Sequence, residues 1–365
     1  MRVGLNASFW HRPDTGSGQY LQALHAALLR NAPELELLLF APRARSIGTP
    51  FDGLRENLAK VWFEQVAYPR ACRRERVDLL HVPYFAPPGR ASAPVVVTIH
   101  DLIPLLLPAY RGSALVRGYT QAMAHTARRA ARVLTDSQAS ARDIVRWLRI
   151  PAERVTVIYL AADASCRPLP PEDCAPVLER LGIARPYLLY LGGFDVRKNL
   201  AGLLGAWARV GGAVGQTRLV IAGRLPAADS AFAPDPRRLA QQLGADQAVC
   251  YTGWVAEADK PALYSAATAF VFPSHYEGFG LPVLEALSCG TPAIVGTGSS
   301  LEEIAGPGGL AVDPEDTPAL ADALVRLATD AEVRARLAAA GLQHARTFSW
   351  ESTARQTLAA YRSVL

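Results

Sequence analysis

Two glutamates, Glu277 and Glu285, flank a glycine-rich turn in the second half of the chain. The turn consists of Gly278, Phe279, Gly280 and Leu281, and a predicted helix, Leu281–Ser288, begins at its end. Glycines let a ligand approach the backbone closely, and the N–H groups at a helix start favour an anion such as a phosphate. Glu277 precedes the helix and Glu285 lies about one turn inside it. The pattern fits a ligand-binding loop, and composition alone also fits a tight turn with one exposed glutamate.

A second glycine turn carries two adjacent cations. Gly193 follows the apolar run Tyr187–Leu191, and Arg197 and Lys198 come just before another predicted helix. Cations are unfavourable at the positive end of a helix dipole, so an exposed basic turn without a ligand is disfavoured. The segment therefore predicts a diphosphate site.

Four further candidate positions follow predicted strands: Arg224, Val255, His100 and Ser137. Each has a plainer interpretation. A simple strand-to-turn junction explains Arg224 and Val255, a structural role explains a lone histidine, and a helix cap explains Ser137 or its neighbour Asp136.

Gly16 and Gly18 precede the first predicted helix but do not form a dinucleotide-binding fingerprint, because Leu21 stands where the third glycine is needed. An oxidoreductase built on that fingerprint is therefore excluded. The sequence also has no Asp-x-Asp metal site, no phosphate-binding P-loop and no Gly-x-Ser-x-Gly elbow. We expect no bound metal.

The ordered set of motifs resembles the retaining glycosyltransferases of family 4, also called group 1, which have the GT-B fold. Their signature is Glu-x7-Glu followed by Gly-x-Pro, matched here by Glu277, Glu285 and Gly290-Thr291-Pro292. Matching segments cover nearly the whole chain in the expected order. The resemblance implies that Glu277 contacts hydroxyls of a donor sugar and that Glu285 holds the ribose of its nucleotide.

The same resemblance implies roles for the other candidates. Lys198 matches a lysine that binds the donor diphosphate, and Arg197 is the candidate for a family arginine that stands about five residues earlier, near Gly193. The segment ending at Val255 meets the base, and His100 contacts the donor sugar. Glu277, His100 and Lys198 are the predicted catalytic residues. Donor binding is assigned to Gly16, Gly18, Gly193, Arg197, Lys198, Arg224, Val255, Gly278, Phe279, Gly280, Leu281 and Glu285, and acceptor binding to Ser137.

Short apolar runs that alternate with amphipathic helices predict an α/β protein with parallel sheets. The strand candidates are Arg2–Asn6, Leu35–Phe40, Leu79–Val82, Val95–His100, Val133–Thr135, Val155–Tyr159, Tyr187–Leu191, Leu219–Ala222, Ala248–Tyr251, Ala269–Phe272 and Ala293–Val295. With the resemblance, they predict the GT-B architecture of two Rossmann-like domains facing across a deep cleft. Residues 1–163 form the acceptor domain and 164–348 the nucleotide-sugar donor domain. A last helix, about 349–365, is expected to pack back onto the first domain.

The 365 residues carry a net charge of +5, divided unevenly between the two halves. Residues 1–163 contain 21 Lys and Arg against 13 Asp and Glu, whereas the remainder has a net charge of −3. An arginine-rich genome explains this asymmetry, and so does an anionic partner of the first half. Five cysteines without metal-ligand spacing predict reduced thiols. The absence of a signal peptide and of an 18-residue apolar stretch predicts a cytoplasmic protein.

The family resemblance implies a retaining glycosyltransferase, and together with the absence of metal-site motifs it predicts an enzyme that needs no metal ion or cofactor. Mannose from GDP-mannose is the expected donor group, and UDP-glucose and UDP-N-acetylglucosamine remain alternatives. The acceptor is expected to be a glycan or a lipid-linked precursor in polysaccharide synthesis, with no nucleic-acid partner. Basic residues of the first domain, beside the apolar segment Leu102–Leu107, suggest peripheral contact with an anionic membrane, and a solvated surface beside a buried strand end is the alternative. A GT-B-fold epimerase and a non-enzymatic basic binding protein are weaker alternatives, because neither explains the motifs.

Overall fold

The computed structural model describes residues 1–12, 15–42, 58–246 and 248–365. They form two compact units. One unit consists of Met1–Leu160 together with Ser349–Leu365, and the other of Ala161–Phe348.

The first unit is built on a six-stranded parallel sheet with the order β2-β1-β3-β4-β5-β6. Its strands are β1 Arg2–Asn6, β2 Glu36–Phe40, β3 Leu79–Val82, β4 Val95–Thr98, β5 Arg132–Thr135 and β6 Val155–Val157. The central strands β3 and β4 are mainly apolar and buried because helices cover both faces of such a sheet. The helices are Gly16–Asn31, Tyr68–Arg74, Ile103–Leu106, Ala114–Ala127, Gln138–Leu148 and Trp350–Arg362.

The second unit repeats this plan with the strand order β12-β11-β10-β7-β8-β9, again parallel. Its strands are β7 Tyr187–Leu191, β8 Arg218–Ala222, β9 Val249–Gly253, β10 Ala269–Phe272, β11 Ala293–Gly296 and β12 Gly309–Val312. The helices are Pro171–Arg180, Leu200–Val210, Pro236–Gln242, Lys260–Ala266, Leu281–Ser288, Leu301–Ala305, Thr317–Thr329 and Ala331–Ala345. Both sheets are Rossmann-like, and the carboxyl ends of their strands carry the candidate residues.

The last helix, Trp350–Arg362, is held in the first unit by buried polar contacts. The Thr353 hydroxyl donates to the carbonyl of Tyr159 at 2.7 Å, and the Tyr361 hydroxyl lies 2.7 Å from Nδ1 of His81. His81 is fully buried, and burial lowers its pKa to about 3, so the ring is neutral at physiological pH.

Several predicted boundaries differ from the structure. The strand predicted over Val95–His100 ends at Thr98, because after Ile99 the chain turns and the Asp101 carboxylate accepts the Ile103 N–H at 2.9 Å. The strand Gly309–Val312 was not predicted, because it follows a Gly-Pro-Gly run typical of a loop and lies at the edge of its sheet.

The segment Leu102–Leu107 lies shortly after β4 and is mainly helical. It forms the short helix Ile103–Leu106, Leu102 is fully buried, and Leu105 and Leu106 pack against the core of the first unit. No helix among the described residues is long and apolar enough to cross a bilayer.

Candidate functional site

The glycine-rich turn of the second unit connects β10 to the helix Leu281–Ser288 and is buried from Tyr276 to Gly280. Gly280 adopts a φ of +102°, and a Cβ there would lie 2.5 Å from Cδ2 of Leu301, so a larger residue would be strained and would clash. The buried Ser300 hydroxyl lies 2.9 Å from the carbonyls of both Glu277 and Phe279. These contacts fix the backbone around Glu277.

Glu277 is paired with both cations of the other glycine turn. Its Oε1 lies 2.7 Å from Nζ of Lys198, and its Oε2 lies 2.5 Å from Nη1 of Arg197. Burial, with 8% of the residue exposed, opposes ionisation, but attraction by the two cations outweighs it and the pKa of Glu277 lies below its usual value. The predicted glutamate and the predicted diphosphate-binding cations therefore form one ionised cluster.

Further contacts join the two turns. Arg197 donates to the carbonyl of Tyr276 at 2.8 Å, and the N–H of His275 donates to the carbonyl of Arg197 at 2.9 Å. Nζ of Lys198 also lies 4.6 Å from the ring centroid of Phe272, within the range of a cation–π contact. Contacts within the protein therefore fix the positions of both cations.

Asn199 shapes the cationic turn. It has a φ of +54°, its amide donates to the carbonyl of Pro314 at 2.7 Å, and its Oδ1 accepts the N–H of Gly202 at 3.1 Å. An asparagine tolerates this left-handed conformation better than most residues do. The helix Leu200–Val210 therefore starts directly behind Lys198.

The ends of β7, β8 and β9 are joined through glycines. The N–H of Gly192 donates to the carbonyl of Ala222, and the N–H of Gly223 donates to the carbonyl of Gly253. A Cβ on Gly223 would lie 2.1 Å from the carbonyl oxygen of Gly192, so only glycine fits. Beside these ends, Gly193 and Arg224 are exposed, whereas Val255 is buried.

Glu285 has different partners from Glu277. It accepts a hydrogen bond from the buried Tyr264 hydroxyl at 2.8 Å, and burial raises its pKa, opposed by the charge of Lys260. Lys260 in turn forms a 2.7 Å ion pair with Glu257. Glu285 therefore lies close enough to the ion pair at the start of the helix Lys260–Ala266 to be influenced by its charges.

In the first unit, His100 lies between two acceptors. Its Nδ1 is 2.5 Å from Oδ2 of Asp136, and its Nε2 is 3.2 Å from the carbonyl oxygen of Pro83. Burial disfavours the charged ring, but the Asp136 carboxylate outweighs it and raises the pKa of His100. Only the protonated imidazole can donate to both acceptors, so the geometry favours an imidazolium.

The remaining candidates of this unit have local structural roles. The Ser137 side chain is fully buried and accepts the N–H of Ser140 as the cap of the helix Gln138–Leu148. The Thr15 side chain accepts the N–H of Gly18, and a Cβ on Gly18 would lie 2.0 Å from the carbonyl oxygen of Arg12. A Cβ on Gly16 would meet no atom of the described residues within 4 Å, so space does not require a glycine there.

Sequence reasoning missed Asp136 as the partner of His100 and offered it only as a helix cap. It also missed the pairing of Glu277 with the two cations. The described residues contain no group of three or more His, Cys, Asp or Glu side chains arranged to hold a metal ion.

The fold matches solved glycosyltransferase structures. Sucrose-phosphate synthase from Thermosynechococcus elongatus aligns with a TM-score of 0.78 over 100% of this chain and 98% of that chain, at 23% identity. Two Rossmann-like units of this kind define the GT-B class of glycosyltransferases.

Family models and relatives agree on the family. The model described as "Glycosyl transferases group 1" matches residues 179–344, and that of "Glycosyltransferase Family 4" matches residues 16–165. The chain is 32% identical to O-antigen chain mannosyltransferase B of Escherichia coli over 96% of each protein. It is also 27% identical to the MMP alpha-(1->4)-mannosyltransferase of Mycolicibacterium hassiacum, over 98% of this chain and 92% of that protein. The chain belongs to the group 1 glycosyltransferases of family 4 and resembles their mannosyltransferases.

Proposed function

We propose that this glycosyltransferase moves mannose from GDP-mannose to a glycan or lipid-linked acceptor, with retention of configuration and without a metal ion. The observation that carries the proposal is the buried cluster of Glu277, Arg197 and Lys198. Departure of a nucleoside diphosphate develops negative charge, which fixed cations stabilise without reorganisation during the reaction.

The cluster supports a binding mode in which a diphosphate replaces the Glu277 carboxylate on the two cations. Without a donor, the Glu277 carboxylate neutralises both cations at 2.5 and 2.7 Å. A diphosphate offers the same cations more charge and more acceptor oxygens, so it competes with the carboxylate. Release from the cations leaves Glu277 able to accept hydrogen bonds from hydroxyls of the donor sugar.

The partners of the two carboxylates favour attack from the leaving-group face. A retaining glycosidase uses two carboxyl groups about 5 Å apart, one of them as a nucleophile. Here the two motif carboxylates have separate partners: before a donor binds, Glu277 pairs with the two cations, whereas Glu285 accepts a hydrogen bond from Tyr264. The acceptor hydroxyl then attacks beside the departing diphosphate, whose oxygen takes the proton.

The pair Glu257–Lys260 favours guanine as the base. Both residues act electrostatically on Glu285, the residue expected to hold the ribose, which supports a position near the base of the donor nucleotide. Guanine offers adjacent N–H donors for a carboxylate and an O6 acceptor for an ammonium group. The mannosyltransferase names of the relatives support mannose as the sugar.

Exposed side chains support contact with an anionic membrane. Leu58 is 62% and Trp62 is 59% exposed, one helical turn apart and shortly before the arginines of the helix Tyr68–Arg74. Apolar anchors beside basic residues are typical of interfacial binding. Co-sedimentation with vesicles containing anionic lipid tests this, and Trp62→Gln is expected to reduce the bound fraction; equal sedimentation of wild type and variant would refute it.

The decisive experiment is calorimetric titration with GDP, UDP and ADP, each with and without EDTA. We expect GDP to bind most tightly and EDTA to change nothing. A preference for UDP would replace the mannose donor with UDP-glucose or UDP-N-acetylglucosamine, and loss of binding in EDTA would refute metal independence. The anomeric configuration of the product, measured by NMR, tests retention.

A further inference from the structure

A polar cluster at the carboxyl edge of the first sheet has no part in the proposed donor site. Ser8 and Phe9 follow β1, Tyr84 follows β3, and Tyr119 comes from the helix Ala114–Ala127. Glu64 lies in a π-helical turn, Phe63–Ala67. Such turns are rare and frequently occur at functional sites.

Glu64 is a buried carboxylate, and one of its oxygens accepts no hydrogen bond from the part of the chain that the structure describes. None of the residue is exposed, and Oε2 accepts a hydrogen bond from the Tyr119 hydroxyl at 2.5 Å. Oε1 has no hydrogen-bond partner among the described residues, since Nζ of Lys60 lies 3.7 Å away. Burial raises the pKa of Glu64, and the nearby Lys60 charge opposes this. Burial of a carboxylate is costly, and within the described residues the ion pair with Lys60 and the hydrogen bond from Tyr119 compensate for it without a hydrogen bond to Oε1.

Asn6 provides a second polar group in the same cluster that lacks a hydrogen-bond partner among the described residues. It is fully buried, and its Oδ1 accepts both the N–H and the hydroxyl of Ser8, at 3.1 and 2.8 Å. Its Nδ2 has no hydrogen-bond partner within the described ranges. The Tyr84 hydroxyl donates to Oγ of Ser8 at 3.0 Å and so links Asn6 to the aromatic part of the cluster.

The accessible part of the cluster combines aromatic rings with a cation. Nζ of Lys60 lies 5.8 Å from the ring centroids of both Phe9 and Tyr84, and these two rings meet edge to face at 5.0 Å. The Lys60 side chain is 44% exposed, and Phe9, Ser8 and Tyr119 are partly exposed. An incoming ligand therefore meets rings, hydroxyls and one ammonium group.

We propose that this cluster is the subsite that holds the acceptor sugar. A sugar ring presents an apolar face suited to aromatic rings and several hydroxyls that both donate and accept hydrogen bonds. Because the Tyr119 hydroxyl donates to Glu64, its oxygen is left to accept a sugar hydroxyl, while Lys60 donates to another. Tyr119 and Lys60 are the contacting residues, and Glu64 is a positioning residue that orients Tyr119.

The placement agrees with the rest of the first unit. Ligands of open parallel sheets bind at the carboxyl ends of the strands. Pro83, whose carbonyl lies 3.2 Å from His100, immediately precedes Tyr84. The inference rests on the proposed function, because it assumes that the chain receives a sugar acceptor.

The test measures binding of methyl α-D-mannopyranoside by saturation-transfer NMR and binding of GDP by calorimetry, on the same samples. Tyr119→Phe and Lys60→Gln are expected to weaken mannoside binding by about fivefold or more, the equivalent of one lost hydrogen bond, and to leave GDP binding unchanged. Thr120→Val is the matched control, because it removes a hydroxyl of the same helix that bonds only the carbonyl of Val116. With a turnover assay, Glu64→Gln should raise KM for the acceptor more than that for the donor.

The outcomes separate this inference from the proposed function. Mannoside binding that is equal in wild type, Tyr119→Phe and Lys60→Gln overturns the subsite, and so does wild type that binds GDP but no mannoside. If Tyr119→Phe lowers the melting temperature, Lys60→Gln decides, because its amine lies at the surface. Wild type that binds mannoside through these residues but binds no nucleotide refutes the proposed donor and leaves the subsite standing.

Discussion

Lys198 and Glu277, 79 positions apart in the sequence, form an ion pair of 2.7 Å in which only 13% and 11% of the two side chains are exposed. Arg197 completes the cluster from the other side of the carboxylate. Two motifs that the sequence presents separately are therefore one electrostatic unit. If a donor diphosphate binds these cations as proposed, it must compete with the Glu277 carboxylate for them.

Glu277→Gln should change nucleotide binding and catalysis in opposite directions. Removing the internal anion frees both cations, so we expect GDP affinity to rise roughly tenfold. Transfer should fall by at least about 10²-fold, because the carboxylate no longer orients the sugar. Calorimetry and a turnover assay measure the two effects, with the exposed Glu332→Gln as control. A variant with normal turnover would remove Glu277 from the reaction.

Lys198→Met and Arg197→Met should both weaken GDP binding, but only Arg197→Met should also lower the melting temperature. Each removes a cation from the proposed diphosphate site, so each should weaken GDP binding by about 10- to 100-fold. Arg197 also holds the carbonyl of Tyr276 at 2.8 Å, so its loss should in addition lower the melting temperature. Arg209→Gln, an exposed cation of the same unit, should do neither. Unchanged GDP affinity in both variants would mean that the diphosphate binds elsewhere.

The sequence predicted the fold and located the two glycine-rich turns because these depend on local patterns. Buried strands read as continuous apolar runs, and glycines mark backbone that no side chain can occupy, as at Gly280 and Gly223. The ends of strands were harder to predict from the sequence. For example, β4 ends at Thr98, and the Asp101 carboxylate then accepts the N–H of Ile103 in the turn that follows.

Contacts between distant residues could not be predicted in this way. Tyr119 meets Glu64 across 55 positions, and Asp136 meets His100 across 36, without any motif that connects them. The π-helical turn that carries Glu64 depends on packing and has no periodic signature. Such pairs form only when the tertiary structure brings distant residues together, whereas a glycine-rich loop before a helix can be recognised from a few consecutive residues.

Glu257→Gln should change the choice of nucleotide. The variant keeps the size of the side chain but loses the charge that pairs with Lys260 at 2.7 Å. If the carboxylate accepts the N–H donors of guanine, GDP affinity should fall by about tenfold while UDP affinity changes little. Glu302→Gln serves as the control for loss of a carboxylate in the same unit. Parallel losses for GDP and UDP would show that Glu257 does not read the base.

Asp136→Asn should remove the pH dependence that His100 gives to stability. The Asp136 carboxylate raises the pKa of His100 above its usual value of 6.5, so the protonated ring stabilises the fold fully below about pH 6.5. That contribution is lost as the pH rises through the raised folded pKa. In Asp136→Asn the free energy of unfolding should be lower by about 2 kcal/mol at pH 6, and the difference should shrink towards pH 9.

Denaturant unfolding at several pH values measures this, and NMR titration of the His100 ring gives its pKa directly. Burial of His100 opposes its charge, so without Asp136 the ring should titrate at a lower pH. Asp101 also raises the pKa of His100, and the neutral ring of His81 lies nearby. Asp101→Asn is therefore the matched control and should shift the titration less, because it lacks the 2.5 Å contact that Asp136 makes. If His100 titrates at the same pH in wild type and Asp136→Asn, the imidazolium assignment fails, and the ring binds one of its two acceptors as a neutral donor.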